Sequence, residues 1–241
     1  MKIYLAGLHG DIKWLPIMKP PYVLESFFYL KKGLLEYVKS EDCKDFMLDS
    51  GAFTFMKSGK DINWHNYISD YVKTIVDHDV RQYYELDIDK IVGLKKVEEF
   101  RSILEKETGR KSIPVWHKSR GLKYYEQLTE EYDYIAIGGF AIKDISKKEY
   151  VYIPKLLSIA KKNNCKVHGL GFTNQKQLQL CRFDSVDSTT WFRARFGDVA
   201  YFNGTEMKMY RNPDKRVKHR ESTIHNLKEW VKFQHYADKY L

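Results

Sequence analysis

The sequence is poor in cysteine and has no long apolar run. Its three cysteines, Cys43, Cys165 and Cys181, are scattered over 241 residues, and this odd, unclustered set excludes a disulfide framework and a C-x-x-C metal site. The apolar run after Met1 is too short for a signal peptide, and no later segment could span a bilayer. We therefore expect a soluble, cytoplasmic protein with no membrane partner.

Low-complexity tracts, internal repeats and obvious linkers are also absent. Residues 7–10 read Gly-Leu-His-Gly, so the G-x-G-x-x-G turn that typically follows the first strand of a nucleotide-binding sheet is missing. The hydrophobic content of 43% is enough for a substantial core. These observations predict a single domain that spans residues 1–241.

Positive charge exceeds negative charge. There are 41 Lys and Arg residues against 32 Asp and Glu, and the net charge is +9. Such a balance favours a polyanionic partner, although a basic surface that serves solubility alone would show the same excess. A basic stretch at about 204–220 is expected to be exposed.

Short apolar runs that end in polar or glycine clusters alternate with segments of helical spacing. The alternation predicts an α/β protein, a single (β/α)8 TIM barrel, with a doubly wound open sheet as the structural competitor. Helical spacing covers residues 23–38, 64–76, 97–107, 122–131, 148–162 and 224–236. Strands are predicted at 2–7, 46–51, 84–87, 114–117, 135–139, 167–171 and 185–188, and an eighth within 199–209.

Strand ends of a barrel surround one cavity, so Asp49, Asp87, His117 and Asp187 are expected to converge. Two carboxylates can divide the work of exchange at a glycosidic bond, one as nucleophile and one as acid and base. Each residue also has a structural interpretation. Asp49 could form an Asx turn with the Ser-Gly that follows it, and His117 and His168 could be hydrogen-bonded core residues.

Glu85, Asp87 and Asp89 alternate along the chain. If the strand extends that far, their side chains point to the same side, and three acids inside a barrel require partners. If they point outward, they form an ordinary solvated face.

Four segments, in chain order, carry a family resemblance. They are LDSGAF at 48–53, AIGGFA at 136–141, VHGLG at 167–171 and FDSVDS at 183–188, which runs on to Arg193. Together they resemble the D-S-G-G-F/Y, I-G-G-L-A, M-G-V-G and I-D-M-F-D-C elements of the tRNA-guanine transglycosylase superfamily (queuine tRNA-ribosyltransferase-like), whose barrel enzymes exchange guanine for a 7-deazaguanine.

The resemblance implies a pentosyltransferase that needs no metal and no cofactor. Asp187 would attack C1′ and form a covalent glycosyl-enzyme, with Asp49 as general acid and base. Phe53 and His168 would lie on opposite faces of the base, and Asp87 would read its Watson–Crick edge. The implied substrate-binding set also includes His117, Gly138, Gly139, Phe140 and Gly169.

The resemblance also bears on the polymer. The tRNA enzymes carry a zinc subdomain with a C-x-C-x-x-C pattern, which this chain lacks. The chain is instead similar to the compact, often phage-encoded branch that places 7-deazaguanines in DNA, which would put it in the host cytoplasm. DNA is the favoured substrate and tRNA the alternative; the target base must leave any helix. The residues expected to hold phosphates are Arg193, Arg195, Lys215 and Arg216, with Lys218 and Arg220 as further candidates.

Several alternatives stay open. A shifted register would make Asp184 the nucleophile, and Trp116-His117 stands where the family often has a base-reading glutamine. A metal-dependent barrel hydrolase could use Asp49, Asp87, Asp89, His117 and His168 as ligands. A non-catalytic nucleic-acid-binding barrel would share the basic surface.

Overall fold

The core of the protein is a curled sheet of eight parallel strands in the order β4-β3-β2-β1-β8-β7-β6-β5. The computed structural model describes residues 1–51, 54, 62–140, 142, 144–172, 175–211 and 218–241. The strands of the sheet are β1 (Lys2–Ala6), β2 (Tyr22–Ser26), β3 (Asp45–Asp49), β4 (Gln82–Tyr83), β5 (Val115–Trp116), β6 (Tyr134–Ile137), β7 (Lys166–Gly169) and β8 (Ser185–Ser188).

Helices follow most of the strands and cover the outer face of the sheet. The α-helices are α1 (Leu15–Met18), α2 (Lys32–Val38), α3 (Trp64–Asp77), α4 (Asp89–Val92), α5 (Leu94–Thr108), α6 (Leu122–Glu131), α7 (Ile153–Lys162) and α8 (His219–Tyr240). Short 3-10 segments lie at Leu8–Gly10, Ile12–Trp14, Phe27–Tyr29, Lys118–Arg120, Lys147–Tyr152, Gln175–Gln177 and Thr190–Phe196.

The two end strands of the sheet, β4 and β5, approach each other through one parallel bridge. Tyr84 pairs with Ile113, with the Ile113 amide donating to the Tyr83 carbonyl at 2.8 Å and the Glu85 amide donating to the Ile113 carbonyl at 3.1 Å. The sheet is therefore curled far enough for its first and last strands to share backbone hydrogen bonds, although only at this point.

Alternate strand residues fill the concave side. A buried cluster there contains Tyr4, Tyr22, Met47, Tyr84 and Val115, which come from β1, β2, β3, β5 and the segment after β4. Period-two alternation explains the set, because every second side chain of a strand points to the same face. Tyrosines are thus a large part of the interior, and their hydroxyl groups need partners there.

Asp45 provides such a partner at the amino end of the concave side. Its Oδ2 accepts hydrogen bonds from Lys2 Nζ at 2.6 Å and from the Tyr4 hydroxyl at 2.8 Å. Its Oδ1 accepts from Gln82 Nε2 at 2.7 Å. One carboxylate therefore ties β1, β3 and β4 together at the end of the sheet opposite the site described below.

The structure corrects two of the predicted elements. The helix expected over 23–38 is wrong in its first part, since Tyr22–Ser26 is strand β2 and only Lys32–Val38 is α-helical. The run was misassigned because Tyr22 to Glu25 are all buried, and a strand buried on both faces shows no alternation.

The eighth strand was expected within 199–209, and this is also wrong. Asp198–Phe202 and Met207–Arg211 form a separate antiparallel hairpin, β9 and β10. The hairpin is held to α8 by Asn226, whose side chain accepts from the Ala200 amide and donates to the Asp198 carbonyl. β2 supplies the eighth strand instead.

The strand predicted at 84–87 lies earlier in the chain, as β4 (Gln82–Tyr83), and Tyr84 forms only an isolated bridge. The helix predicted at 148–162 begins with the 3-10 segment Lys147–Tyr152. The other predicted strands and helices are confirmed with small shifts at their ends.

No helix within the described ranges combines the length and the hydropathy that crossing a bilayer would require.

We predict that Asp45→Ala lowers the free energy of unfolding by about 1–3 kcal/mol, because the buried Tyr4 hydroxyl and Gln82 amide lose their acceptor. Urea denaturation measures the change. The control is Asp42→Ala, which removes only a surface ion pair with Lys19 and should cost less than about 1 kcal/mol. Equal losses in the two variants would contradict the assigned role of Asp45.

Candidate functional site

The acidic residues singled out in the sequence meet at one edge of the sheet. All eight strands are parallel, so their carboxyl ends lie together, as in other sheets of this class. Asp49 is the last residue of β3, Asp187 the third residue of β8, and His117 directly follows β5. Asp87 lies four residues beyond the end of β4.

Asp49 sits in a turn and has a perturbed acidity. Its Oδ2 accepts from the Gly51 amide at 3.0 Å, which is the Asx turn that a structural interpretation of Asp-Ser-Gly predicts. Burial, opposed by that hydrogen bond and supported by the charges of Asp187, Asp87 and Glu25, raises the pKa of Asp49 to about 7. The turn therefore fixes a carboxyl group that exchanges protons near neutral pH.

Gly51 is required by this turn. Its φ is +82°, and a Cβ there would lie 3.0 Å from the Tyr67 hydroxyl and 3.1 Å from both Phe28 Cβ and Ser26 Oγ. Any larger residue would strain the backbone and push these neighbours away from Asp49.

Asp187 is held by one of its two oxygens. Oδ1 accepts from the Gly171 amide at 2.5 Å and pairs with His168 Nε2 at 3.1 Å. Among the described residues, Oδ2 has no hydrogen-bond donor. One oxygen is thus anchored to β7 and its following loop, while the other is left for a reacting partner.

A hydrogen-bonded chain continues beneath Asp187 into the interior. His168 Nδ1 contacts Ser185 Oγ at 2.5 Å, which contacts the Tyr134 hydroxyl at 2.5 Å. If Nε2 carries the proton donated to Asp187, Nδ1 accepts from Ser185, and Ser185 accepts from Tyr134. Every member of the chain then has a consistent donor or acceptor role.

The position of His168 differs from the sequence interpretation. That interpretation put the ring against a face of the base, whereas His168 is fully buried and packed edge-on by Tyr4 and Tyr84. It supports Asp187 from below, so it is a positioning residue with no face open to a ligand.

The two candidate nucleophiles, Asp184 and Asp187, lie at different places relative to β8. Asp184 is exposed, precedes the strand, and accepts from the Val167 amide at 2.8 Å. Asp187 faces the concave side and lies within electrostatic reach of Asp49. Only Asp187 shares the carboxyl edge with Asp49.

Arg120 forms ion pairs with the three alternating acids that follow β4. Its guanidinium contacts Glu85 Oε1 at 2.9 Å, Asp87 Oδ1 at 3.3 Å and Asp89 Oδ2 at 3.1 Å. Glu85 is fully buried and also pairs with Arg101 at 3.0 Å; burial raises its pKa against the opposing effect of the two arginines. The three acids therefore have the partners that their burial requires, even though β4 itself ends at Tyr83.

His117 is hydrogen-bonded to Asp87. Its Nε2 lies 2.8 Å and 2.9 Å from the two Asp87 oxygens, while Nδ1 is buried and has no hydrogen-bond partner among the residues that the structure describes. Burial lowers the pKa of His117, but the hydrogen bond and charge of Asp87 outweigh it and the net pKa is raised. Gly138 makes room for the ring, because a Cβ there would lie 2.7 Å from His117 Cε1.

The remaining base-binding candidates line the next two strands. Gly139 has φ +92°, and a Cβ there would lie 3.0 Å from Asp144 Cβ. Phe140 packs its ring among aromatic residues of the core, so only its backbone is available to a ligand. Gly169 lies against Phe172, and a Cβ there would be 3.1 Å from Phe172 Cβ.

The predicted phosphate-binding residues are placed as follows. Arg193 is half-exposed and pairs with Asp198 at 2.6 Å, and Lys218 pairs with Glu221 at 3.3 Å. Arg195 and Arg220 are exposed. Phe53, Lys215 and Arg216 lie outside the described residues.

A metal site at this edge has one candidate ligand group. Single ligand atoms of Asp87, Asp89 and His117 lie within 4.8 Å of one another. The Arg120 guanidinium already contacts both carboxylates, so a cation would have to displace it against charge repulsion. The geometry therefore favours an ion-pair network over a metal centre.

Sequence analysis missed Arg120, Arg101 and Glu25. Glu25 is buried on β2 and accepts from the His9 amide at 2.9 Å and the Ser26 amide at 3.0 Å. The alternating acids indicated that partners were needed, since the buried Glu85 and the half-buried Asp87 and Asp89 require cations. Which of the chain's many arginines would supply them depends on the fold.

Neither protein-family models nor curated proteins give a match to this chain. The assignment of function rests on the residues and their geometry.

We predict that the stability of Asp49→Asn relative to the wild-type protein increases as pH rises. The folded-state pKa of about 7 exceeds the ordinary value of 3.8. Between pH 4 and pH 7 the carboxyl is therefore ionised in the unfolded chain but still protonated in the folded protein, and the wild-type protein loses stability as pH rises. The variant avoids this loss. Its advantage should grow across this window to at most about 4 kcal/mol, measured by urea denaturation at pH 4, 5.5 and 8. Parallel pH profiles of the two proteins would contradict the raised pKa.

Proposed function

We propose that the chain is a base-exchange transglycosylase that replaces guanine in a nucleic acid with a 7-deazaguanine derivative. The observation that carries the proposal is the unequal pair of carboxylates at the carboxyl edge. Asp187 has one oxygen anchored and one available, and the pKa of Asp49 is raised to about 7. A nucleophile and a separate acid–base group are the two parts that retaining exchange at a glycosidic carbon requires.

In the first step, Asp187 Oδ2 attacks C1′ of the target nucleotide. The C1′–N9 bond breaks as the C1′–O bond forms, and protonated Asp49 transfers its proton to the departing guanine. In the second step, Asp49 removes a proton from the incoming 7-deazaguanine, whose N9 displaces Asp187 from C1′. Two inversions restore the original configuration.

Recognition of the base falls to the groups between these carboxylates. Asp87 can accept from the N1 and N2 hydrogens of guanine, because carboxylate oxygens accept and the Watson–Crick edge of guanine donates there. The unpartnered His117 Nδ1 and the backbone of Gly139 and Phe140 are candidates for the remaining polar atoms. Arg120 holds Asp87 in place.

We further propose that the curled sheet is a closed (β/α)8 barrel. The bridge between Tyr84 and Ile113 supports closure between β4 and β5. The contacts of Arg120 with the Val115 carbonyl and with Glu85 cross the same junction.

DNA is the favoured polymer, on the resemblance to the compact branch of the superfamily, and tRNA is the alternative. The net charge of +9 suits either. In both polymers the target base has to be unstacked before C1′ can reach the carboxylates.

Base exchange tests the proposal. The purified protein is incubated with guanine-containing single-stranded DNA or tRNA and a labelled 7-deazaguanine. We expect incorporation into one polymer, and a loss of at least about 10³-fold in Asp187→Asn because its amide is a poor nucleophile. The matched control is Asp184→Asn, which should retain activity. Activity lost in Asp184→Asn and kept in Asp187→Asn would reverse the assignment, and no release of guanine from either polymer would refute the activity.

The pH dependence tests the role of Asp49. Guanine release needs the protonated carboxyl group, whose fraction falls as pH rises through about 7. The single-turnover rate of covalent adduct formation, followed by intact mass, should therefore fall about tenfold per pH unit above pH 7. Asp49→Asn should be slow at every pH and lack this decline. A decline that persists unchanged in Asp49→Asn would assign the titration to another group.

A further inference from the structure

Exposed and half-buried aromatic and basic residues follow one half of the carboxyl edge, above β3, β2, β1 and β8. We call them the rim track, defined as Phe28, Tyr29, His9, His219, Phe192 and Arg195. We propose that the rim track binds the single-stranded nucleotides that flank the target, with bases stacked on its rings. The inference rests on the proposed function for the identity of the target nucleotide, and on the surface alone for the single strand.

The track begins beside the site. A Cβ at Gly51, two residues after Asp49, would lie 3.1 Å from Phe28 Cβ. The rings of Phe28 and Tyr29 meet edge to face at 4.9 Å, and 49% and 42% of these residues is exposed. Exposed aromatic rings beside a polar site are able to stack on the flat rings of a ligand.

His9 extends the surface by stacking on Tyr29, with ring centroids 4.6 Å apart and an interplanar angle of 16°. Buried Glu25 fixes this arrangement, since it accepts from the His9 amide at 2.9 Å and contacts His9 Nδ1 at 3.2 Å. Lys31 Nζ donates to the His9 carbonyl at 3.0 Å and supplies positive charge alongside. A buried carboxylate that holds an exposed ring pair in one orientation makes the pair pre-organised for stacking.

The track continues towards β8. Asp11 lies within electrostatic reach of His9, His219 and Arg220, which brings the loop after β1 next to the start of α8. The His219 ring meets Phe192 edge to face at 6.5 Å. Arg195 lies over Phe192 at 5.0 Å and over the exposed Phe196 at 4.7 Å. Aromatic and imidazole rings therefore run from β3 to the segment after β8, where Arg195 adds positive charge.

This composition suits a single strand better than a duplex. Stacked bases in a duplex offer no free faces, whereas unpaired bases stack on aromatic side chains while Lys and Arg contact their phosphates. Arg195 already lies over two rings, and a guanidinium can stack on a base as well as supply a charge. The track therefore predicts tolerance of sequence and preference for unpaired substrate.

Binding of labelled oligonucleotides by fluorescence anisotropy tests the proposal. Single-stranded DNA, single-stranded RNA and duplex DNA of equal length are used without any 7-deazaguanine, in the Asp187→Asn background, so that no exchange occurs. We expect Tyr29→Ala to weaken single-strand binding about tenfold, the effect of losing one stacked base. Duplex binding and the salt dependence should not change, because no charge is removed.

Two controls accompany this variant. Tyr29→Phe retains the ring and should bind within about twofold of the parent. Tyr240→Ala removes a tyrosine that is 62% exposed near the opposite end of the sheet, where the Met1 amino group contacts the Ala237 carbonyl, and it should also bind within about twofold. The thermal melting of each variant confirms that it is folded.

The proposal is overturned if Tyr29→Ala binds both single strands like Tyr240→Ala, if it weakens duplex binding equally, or if the parent binds neither single strand. If Tyr29→Ala weakens the binding of only one type of single strand, that type identifies the polymer. Absence of base exchange with the Tyr29 effect intact would remove the proposed activity and leave the track, whereas exchange with no Tyr29 effect would remove the track alone.

Discussion

Uneven compensation of buried negative charge is the constraint on which the site depends. Five carboxylates, Glu25, Asp49, Glu85, Asp87 and Asp187, lie at or near one edge of the sheet, where water is largely excluded. Arg120 and Arg101 neutralise the group after β4. Among the described residues, Asp49 accepts one amide hydrogen bond and is paired with no cation, and burial raises its pKa to about 7. The arginines pair with the acids after β4 and not with Asp49. This unequal pairing gives carboxyl groups of the same chemical type different proton affinities.

Much of the candidate site could be predicted from sequence, because the physics of parallel strands places their carboxyl ends together. Asp49, Asp87, His117 and Asp187 each follow or end a recognisable apolar run, and the structure brings them to one edge. β2 was not predicted as a strand because its residues are buried on both faces and show no alternation of apolar and polar side chains. The partners Arg120 and Glu25 were missed because their contacts are set by the fold and leave no local pattern. Arg120 and Asp89 are 31 residues apart, and Glu25 and His9 are 16 residues apart.

His168 illustrates the limit of transferring a role by alignment. Its position in the VHGLG segment matches the resemblance described above. On β7, however, the His168 side chain is hydrogen-bonded to Ser185 and Asp187. A polar ring there is retained by hydrogen bonds to both nitrogens, which no apolar residue at the same position could make. The segment therefore supports the Asp187 carboxylate from beneath in this protein.

The junction between β4 and β5 combines two functions in one set of atoms. Its backbone pairing is limited to a single bridge, and Arg120 spans the gap by contacting the Val115 carbonyl on one side and Glu85 and Asp87 on the other. A ligand that engages Asp87 draws on the same charges that hold these strands together. Binding of a ligand at Asp87 and pairing of β4 with β5 are consequently coupled equilibria, in which each alters the free energy of the other.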